Sequence, residues 1–144
     1  MDPERARRRR RCPKGAQVSD VSRHILVVED DEVLRHVAAE ILVLDGYGVT
    51  LAHDGACALR QIARHGEPDA ILLDLQMPRM DGPAFARVYR EQGGTAPIVV
   101  CSGAADGRQQ AARLGAAGVV GKPYSVSELT AAIDQVLAAA KVAA

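Results

Sequence analysis

The chain has 144 residues, 48% of them hydrophobic, a length that suits one domain with a hydrophobic core and is too short for two ordinary domains. Its formal net charge is zero, but residues 1–14 carry seven basic and two acidic side chains, a net +5, and the remaining 11 basic and 16 acidic side chains give −5. No stretch reaches the length of a membrane-spanning helix and no apolar signal segment follows the basic start, so we expect neither a membrane protein nor a secreted one.

The first 22 residues form a basic leader with an arginine-rich run at residues 5–11. Such a run can bind nucleic acid or anionic lipid through nonspecific electrostatics. No aromatic residue is interleaved with it, however, and no DNA-binding motif follows. From its composition we expect residues 1–22 to be a disordered leader, with no specific nucleic-acid partner and no membrane partner.

Continuous apolar runs predict four strands that are covered on both faces. They occupy residues 25–28, 70–73, 98–101 and 119–120, and a less uniform run at 49–52 predicts an edge strand. Helical segments alternate with these strands, a pattern that implies an α/β domain with a parallel sheet and right-handed crossovers. We expect this domain to occupy residues 23–141 and to leave no room for an output domain.

Apolar residues at helical spacing predict five helices, each burying one face. Asp81 is placed to cap the third helix, and Ser125 and Glu128 have the spacing of a capping box at the start of the fifth. The fourth, near residues 108–114, is alanine-rich and weakly patterned. The predicted inward residues are Leu34, Val37, Ala38, Ile41 and Leu44 in the first helix, Ala58, Leu59 and Ile62 in the second, Phe85, Val88 and Tyr89 in the third, and Leu129, Ile133, Val136 and Leu137 in the fifth.

The cysteines and histidines show no metal-site spacing. The three cysteines include no Cys-x-x-Cys pair, and Cys57 and Cys101 lie in apolar segments where small buried thiols are common. The four histidines lack paired ligand spacing, so we expect no transition-metal site. Free thiols fit a reducing cytoplasm, which is the location we expect.

Polar side chains follow four of the predicted strands, where ligands bind in parallel α/β sheets. Asp74 ends the second apolar run, Glu29, Asp30 and Asp31 follow the first, Ser102 follows the run at 98–101, and Lys122 follows the last. Carboxylates, a hydroxyl and an ammonium at one sheet edge make a phosphate site plausible.

Each of these residues also has a simpler interpretation. Asp30 or Asp31 could cap the first helix, and one carboxylate could do each job. A serine after a strand is usually a turn residue. Lys122 could be a solvated loop lysine, but it is one of only three lysines beside fifteen arginines, and a compact ammonium approaches a phosphoryl oxygen more easily than a guanidinium does.

Four segments carry a resemblance to a known family. They read ILVVEDD at 25–31, DLQMPRMDG at 74–82, VVCSG at 99–103 and GAAGVVGKPY at 115–124. All four in this order and spacing resemble the receiver domain of bacterial two-component response regulators, over about residues 24–140. The resemblance implies a flavodoxin-like (βα)5 fold, doubly wound, with strand order 2-1-3-4-5.

The resemblance also implies a mechanism. Asp74 would accept a phosphoryl group from a phosphohistidine on a sensor histidine kinase or histidine phosphotransfer protein, forming an acyl phosphate. Ser102 would bind the phosphoryl group and draw its loop inward, and Lys122, aimed by a cis bond to Pro123, would contact it. The chain would catalyse only its own phosphotransfer and dephosphorylation, rather than act as an enzyme on other substrates.

The implied cofactor is Mg²⁺, held by Glu29, Asp30, Asp74 and the backbone carbonyl of Gln76. Charge supports this choice, since two unit negative charges about 4 Å apart repel by about 4 kcal/mol at an effective dielectric constant near 20. A hard divalent cation relieves that repulsion and suits oxygen ligands. Water and a phosphoryl oxygen would fill the remaining positions.

Val119 departs from the family pattern, because many members carry an aromatic residue three positions before the lysine. That aromatic residue swings inward when the hydroxyl moves, and Val119 cannot do so. The chemistry at Asp74 is untouched by this change. We expect the signal to reach an unidentified downstream partner through a shift in population, with the protein a monomer or weak dimer.

Two other functions remain open at this point. One is an interaction module that keeps the fold and signals without phosphate, for which Val119 is the only hint. The other is an aspartate-based phosphatase, which needs a second acid two residues after its nucleophile. That position holds Gln76, and an amide cannot act as a general acid.

Overall fold

A computed structural model describes residues 23–77 and 80–143, in which strands and helices alternate throughout. The predicted leader, residues 1–22, lies outside the described residues, as do Pro78 and Arg79. The elements are β1 (His24–Val28), α1 (Glu32–Leu44), β2 (Gly48–Ala52), α2 (Gly55–His65), β3 (Ala70–Asp74), α3 (Gly82–Glu91), β4 (Ile98–Ser102), α4 (Gly107–Leu114), β5 (Gly118–Gly121) and α5 (Val126–Ala143).

The five strands form one parallel sheet in the order β2-β1-β3-β4-β5. This confirms the predicted order and the edge position of β2. Every residue of β3 and β4 is buried, because helices cover both faces of the sheet. The parallel arrangement brings the carboxyl ends of all five strands to one edge.

Two hydrophobic clusters lie on opposite faces of the sheet, which confirms the doubly wound architecture. Side chains of α2, α3 and α4 pack on one face, with Phe85 and Tyr89 as its largest members. Side chains of α1 and α5 pack on the other. The α5 contribution is the predicted one: Leu129, Ile133, Val136 and Leu137 are all buried.

The predicted inward stripe of α1 is wrong in three of its five positions. Leu34, Val37 and Leu44 are exposed, Leu44 to 82%, and the residues that α1 buries are Ala38 and Leu42. The helix carries apolar side chains nearly all the way round, so their spacing does not determine which side faces the sheet. Ala38 and Leu42 belong to the hydrophobic cluster on this face of the sheet, and Ile41 packs against it partly buried.

Aspartates cap the first three helices. Asp31, Asp54 and Asp81 accept hydrogen bonds from the backbone N–H groups of Leu34, Cys57 and Ala84, at 3.0, 2.7 and 2.9 Å respectively. The capping box of α5 is present as predicted: the Ser125 N–H donates to Glu128 Oε1 and the Glu128 N–H donates to Ser125 Oγ, both at 3.1 Å. These caps fix where each helix begins relative to the sheet edge.

The start of α3 packs directly against the backbone that follows β3. A Cβ atom added to Gly82 would lie 2.7 Å from the carbonyl oxygen of Asp74 and from Cα of Leu75. No side chain fits at such distances, so glycine lets the helix approach the segment at Asp74. Among the helices of the described residues, none combines the length and the apolarity needed to cross a membrane.

Candidate functional site

The carboxyl edge of the sheet brings the predicted site residues together. Asp74 is the last residue of β3 and Ser102 the last of β4, Glu29 directly follows β1, and Lys122 directly follows β5. In the strand pairing, Asp74 lies opposite Cys101, and Ser102 lies opposite Gly121. The polar residues at the carboxyl ends of β1, β3, β4 and β5 therefore lie together at one edge of the sheet.

Three carboxylates form the centre of this site. Glu29, Asp30 and Asp74 each offer one oxygen, and these oxygens lie within 4.8 Å of one another. Glu29 and Asp74 are each only 4% exposed, whereas Asp30 is exposed. A group of oxygen donors at this separation, partly open to solvent, has the chemistry that a hard divalent cation requires.

Lys122 holds two of the carboxylates. Its Nζ atom donates to Oε1 of Glu29 at 2.6 Å and lies 3.3 Å from Oδ1 of Asp74. The peptide bond from Lys122 to Pro123 is cis. The simpler interpretation of Lys122 as a solvated loop residue is wrong, because its ammonium is enclosed between the two carboxylates.

The site raises the pKa of both Glu29 and Lys122, which favours the neutral form of the carboxyl group and the charged form of the ammonium. Burial, with a hydrogen bond and charge from Asp74, raises the pKa of Glu29 to about 7, and Lys122 opposes that rise. Burial alone would lower the pKa of Lys122, but the hydrogen bond to Glu29 and the nearby negative charge outweigh it and raise the pKa. Lys122 therefore keeps its positive charge at the site.

The adjacent aspartates Asp30 and Asp31 have different surroundings. The carboxylate of Asp31 caps α1, and its backbone N–H donates to Oε2 of Glu29 at 3.3 Å. The carboxylate of Asp30 instead lies in the acidic cluster. Asp31 therefore caps α1, and Asp30 belongs to the acidic cluster.

Ser102 is 7% exposed and already makes local contacts. Its Oγ accepts a hydrogen bond from the N–H of Ala104 at 3.0 Å, and its carbonyl accepts one from the N–H of Lys122 at 2.9 Å. A Cβ atom added to Gly107 would lie 3.0 Å from Ser102 Oγ. The Ser102 hydroxyl therefore lies at the strand end, beside the loop that leads into α4.

Gln76 lies at the mouth of the site, where its backbone N–H donates to Oδ1 of Asp74 at 3.3 Å. Its side chain is exposed. An open cleft of about 510 Å³ begins here, lined by Asp30, Leu75, Gln76, Met77, Asp81, Pro83 and Gln110. Among the three clustered carboxylates Asp30 lines this cleft, so the cleft opens onto the Asp30 side of the cluster.

The sequence pattern did not predict two further features. Val119 is 37% exposed, so the prediction that residues 119–120 are covered on both faces is wrong, because β5 is an edge strand that, within the described residues, pairs only with β4. Arg35 of α1 reaches back to the acidic segment, where its Nη1 donates to the carbonyls of Glu29 and Asp30 at 2.9 and 3.3 Å. The only feature of the sequence that could have indicated this Arg35 contact is a basic residue one turn into the helix that follows the acidic segment.

Comparison with known proteins agrees with this geometry. The family model described as "Response regulator receiver domain" matches residues 25–134. Response regulator MprA of Mycobacterium bovis is 40% identical over 119 residues, which cover 81% of this chain and 51% of MprA. The chain therefore spans about half the length of the curated relatives it matches.

Solved structures show the same fold. Chemotaxis protein CheY4 of Vibrio cholerae is 28% identical with a TM-score of 0.74, and the match covers 80% of this chain and 98% of that one. NtrX of Brucella abortus is 29% identical with a TM-score of 0.78, covering 84% of this chain and 28% of NtrX. With the family match over most of its length, the chain belongs to the response regulator receiver domains of two-component systems.

Proposed function

We propose that this chain accepts a phosphoryl group onto Asp74 from a phosphohistidine, in a Mg²⁺-dependent reaction that switches its partner-binding face. Phosphoryl acceptance by an aspartate, with Mg²⁺ at an acidic site, is typical of the receiver family. The observation that carries the proposal for this chain is the placement of Asp74: its carboxylate lies 3.3 Å from the Lys122 ammonium, inside a three-carboxylate cluster.

The residues at the site fit Mg²⁺. Glu29, Asp30 and Asp74 place carboxylate oxygens in one compact cluster, and we assign a further protein ligand to the backbone carbonyl of Gln76. Asp30 is the direct ligand of the acidic pair in this assignment, since Lys122 holds Glu29. When bound, Mg²⁺ neutralises negative charge on the carboxylates and on the transferring phosphoryl group.

In the transfer step, a carboxylate oxygen of Asp74 attacks the phosphorus and a P–O bond forms as the P–N bond to the donor imidazole breaks. The leaving nitrogen keeps the electron pair of the broken bond. Lys122 is placed to pair with a phosphoryl oxygen as charge develops, because its ammonium already lies beside Asp74. The product is an acyl phosphate on Asp74.

Switching then depends on Ser102. Its hydroxyl contacts only local atoms among the described residues, through the N–H of Ala104, so it is free to reorient and donate to a phosphoryl oxygen. That contact exists only in the phosphorylated state and biases the loop toward a different arrangement. Val119 offers no aromatic ring to follow the hydroxyl, so the change passes through the backbone of the loop after Ser102.

The phosphoryl donor in this proposal is a sensor histidine kinase or a histidine phosphotransfer protein, and the reaction takes place in the cytoplasm. Free Cys57 and Cys101 support a reducing location. We propose that the receiver is a stand-alone signalling module and a monomer or weak dimer; its five β-α units form a fold with a hydrophobic cluster on each face of the sheet. It turns over no external substrate.

A second function keeps the fold and binds partners without phosphate. Exposed Val119, in the place of the aromatic residue, is the observation that favours it. The three clustered carboxylates and the enclosed ammonium argue against it, since a purely structural module has no need to hold such charges together.

Beryllofluoride with MgCl₂ distinguishes these two functions, because it imitates a phosphoryl group on the acceptor carboxylate. We expect it to shift the backbone amide NMR signals of Asp74, Ser102 and Lys122 in the wild-type protein. Asp30→Ala is expected to lose this response, since its carboxylate is a metal ligand and makes no cap. The spectrum without ligand checks that the fold is intact.

Asp31→Ala is the matched control, because it removes a neighbouring carboxylate that caps α1. We expect it to keep the beryllofluoride response and to lower the free energy of unfolding by about 1 kcal/mol. A wild-type protein with no response would support the phosphate-independent module. An Asp30→Ala variant that responds like the wild type would contradict the assigned metal ligands.

A further inference from the structure

We infer that Arg35 is a positioning residue for the Mg²⁺ site: it holds the backbone on both sides of Asp30 and so fixes the direction in which the Asp30 side chain leaves the backbone. Arg35 lies on α1, outside the acidic cluster. Within the described residues its guanidinium contacts none of the three clustered carboxylates. Its Nη1 atom instead donates to the carbonyl of Glu29 at 2.9 Å and to the carbonyl of Asp30 at 3.3 Å.

These two carbonyls belong to the peptide units that flank the Cα atom of Asp30. Each peptide unit is planar, so the backbone at Asp30 has only two soft dihedral angles. One donor that binds both carbonyls restricts both angles, and with them the direction of the bond from Cα to Cβ. The exposed Asp30 side chain has no packing to do this.

The rest of the acidic segment is already anchored by other groups. The Glu29 N–H donates to the carbonyl of Ala52 at 3.0 Å, and the Glu29 carboxylate is held by Lys122. Asp31 is fixed at the start of α1 by its cap. Arg35 supplies the contact to the carbonyl of Asp30, the residue between them, whose carboxylate is the exposed member of the acidic cluster.

Two physical effects of Arg35 on Mg²⁺ have opposite signs. Fixing the ligand lowers the entropy lost when the cation binds, so it strengthens binding. The positive charge of the guanidinium repels the cation, so charge alone weakens binding. When Arg35 is replaced, the sign of the change in the Kd for Mg²⁺ therefore shows which effect is larger.

This inference rests on the proposed Mg²⁺ site, and its test is a titration of the full chain with MgCl₂ followed by backbone amide NMR. We expect Arg35→Met to raise the Kd for Mg²⁺ about 10-fold, the lower end of the effect seen when groups that orient metal ligands are removed. Arg35→Lys keeps the charge but loses the planar fork, and we expect it to fold and to raise the Kd by less.

Arg90 offers a matched control within the same protein. Its Nη1 also donates to two backbone carbonyls, those of Gly94 at 3.1 Å and Ala96 at 2.9 Å, after the carboxyl end of α3 and before β4. That loop enters β4 at its amino end, at the edge of the sheet opposite the acidic cluster. Arg90→Met loses the same kind of contact and is expected to leave the Kd for Mg²⁺ unchanged.

The outcomes separate this inference from the proposed function. If the wild type binds Mg²⁺ and both Arg35 variants bind it as tightly or more tightly, the positioning role is wrong and the Mg²⁺ site stands. If Arg90→Met weakens binding as much as Arg35→Met does, the effect is one of general stability and the inference is overturned. If the wild-type protein does not bind Mg²⁺, the proposed function fails, and the inference with it.

Discussion

Replacement of Lys122 with methionine is expected to slow the phosphorylation of Asp74 by acetyl phosphate about 100-fold to 1,000-fold. The ammonium is enclosed by Glu29 and Asp74 and keeps its charge there, so it is ready to meet a phosphoryl oxygen without rearrangement. The rate is measured at saturating MgCl₂ by intact-protein mass spectrometry, as the fraction of protein that carries a phosphoryl group at successive times.

Mg²⁺ affinity is the control for this variant. Loss of a positive charge beside two carboxylates leaves Mg²⁺ binding intact or tighter, so slow phosphorylation with undiminished affinity assigns the defect to the transfer step. Phosphorylation of Lys122→Met at the wild-type rate would show that the lysine serves the fold of the site rather than the reaction.

Replacement of Phe85 with alanine is expected to lower the free energy of unfolding by about 3 to 5 kcal/mol. Phe85 is fully buried beneath α3 and stacks on Tyr89, with ring centroids 5.7 Å apart. Truncation leaves a cavity between α3 and the sheet and removes this aromatic contact. Urea denaturation measures the loss, and an unchanged m-value shows that the two states keep their compactness.

Leu44→Ala is the matched control for Phe85→Ala. Leu44 is 82% exposed, and we expect its truncation to change the free energy of unfolding by less than about 0.5 kcal/mol. The helical spacing alone predicts that Leu44 faces the core. A large loss of stability in Leu44→Ala would therefore restore the sequence-based assignment of the α1 face and contradict the structure.

The positions of the strands were predictable, because continuous apolar runs are typical of strands in a parallel sheet covered by helices. The strand order came from the resemblance to the receiver family rather than from the pattern. The buried face of α5 was also predictable, since Leu129, Ile133, Val136 and Leu137 form its main apolar stripe and no comparable stripe competes. In α1, apolar residues lie on several sides of the helix, so tertiary packing decides which face is buried.

The site was predictable as a set of residues at strand ends, and the sheet does bring Glu29, Asp74, Ser102 and Lys122 to one edge. Which of two adjacent aspartates caps α1 depends on backbone dihedral angles that spacing does not encode, and the structure gives that task to Asp31. The contact from Arg35 to two carbonyls was beyond prediction for a similar reason. It depends on how the acidic segment turns into the helix.

The central claim is that Asp74 is the phosphoryl acceptor, and the mass of the intact protein after incubation with acetyl phosphate tests it most directly. We predict one added phosphoryl group on the wild type in the presence of MgCl₂, none when EDTA removes the metal, and none on Asp74→Asn. Asp81→Asn, a substitution in the same segment that preserves the helix cap, is expected to be phosphorylated like the wild type. A wild-type protein that binds beryllofluoride but gains no phosphoryl group, or an Asp74→Asn variant that gains one, would contradict the account.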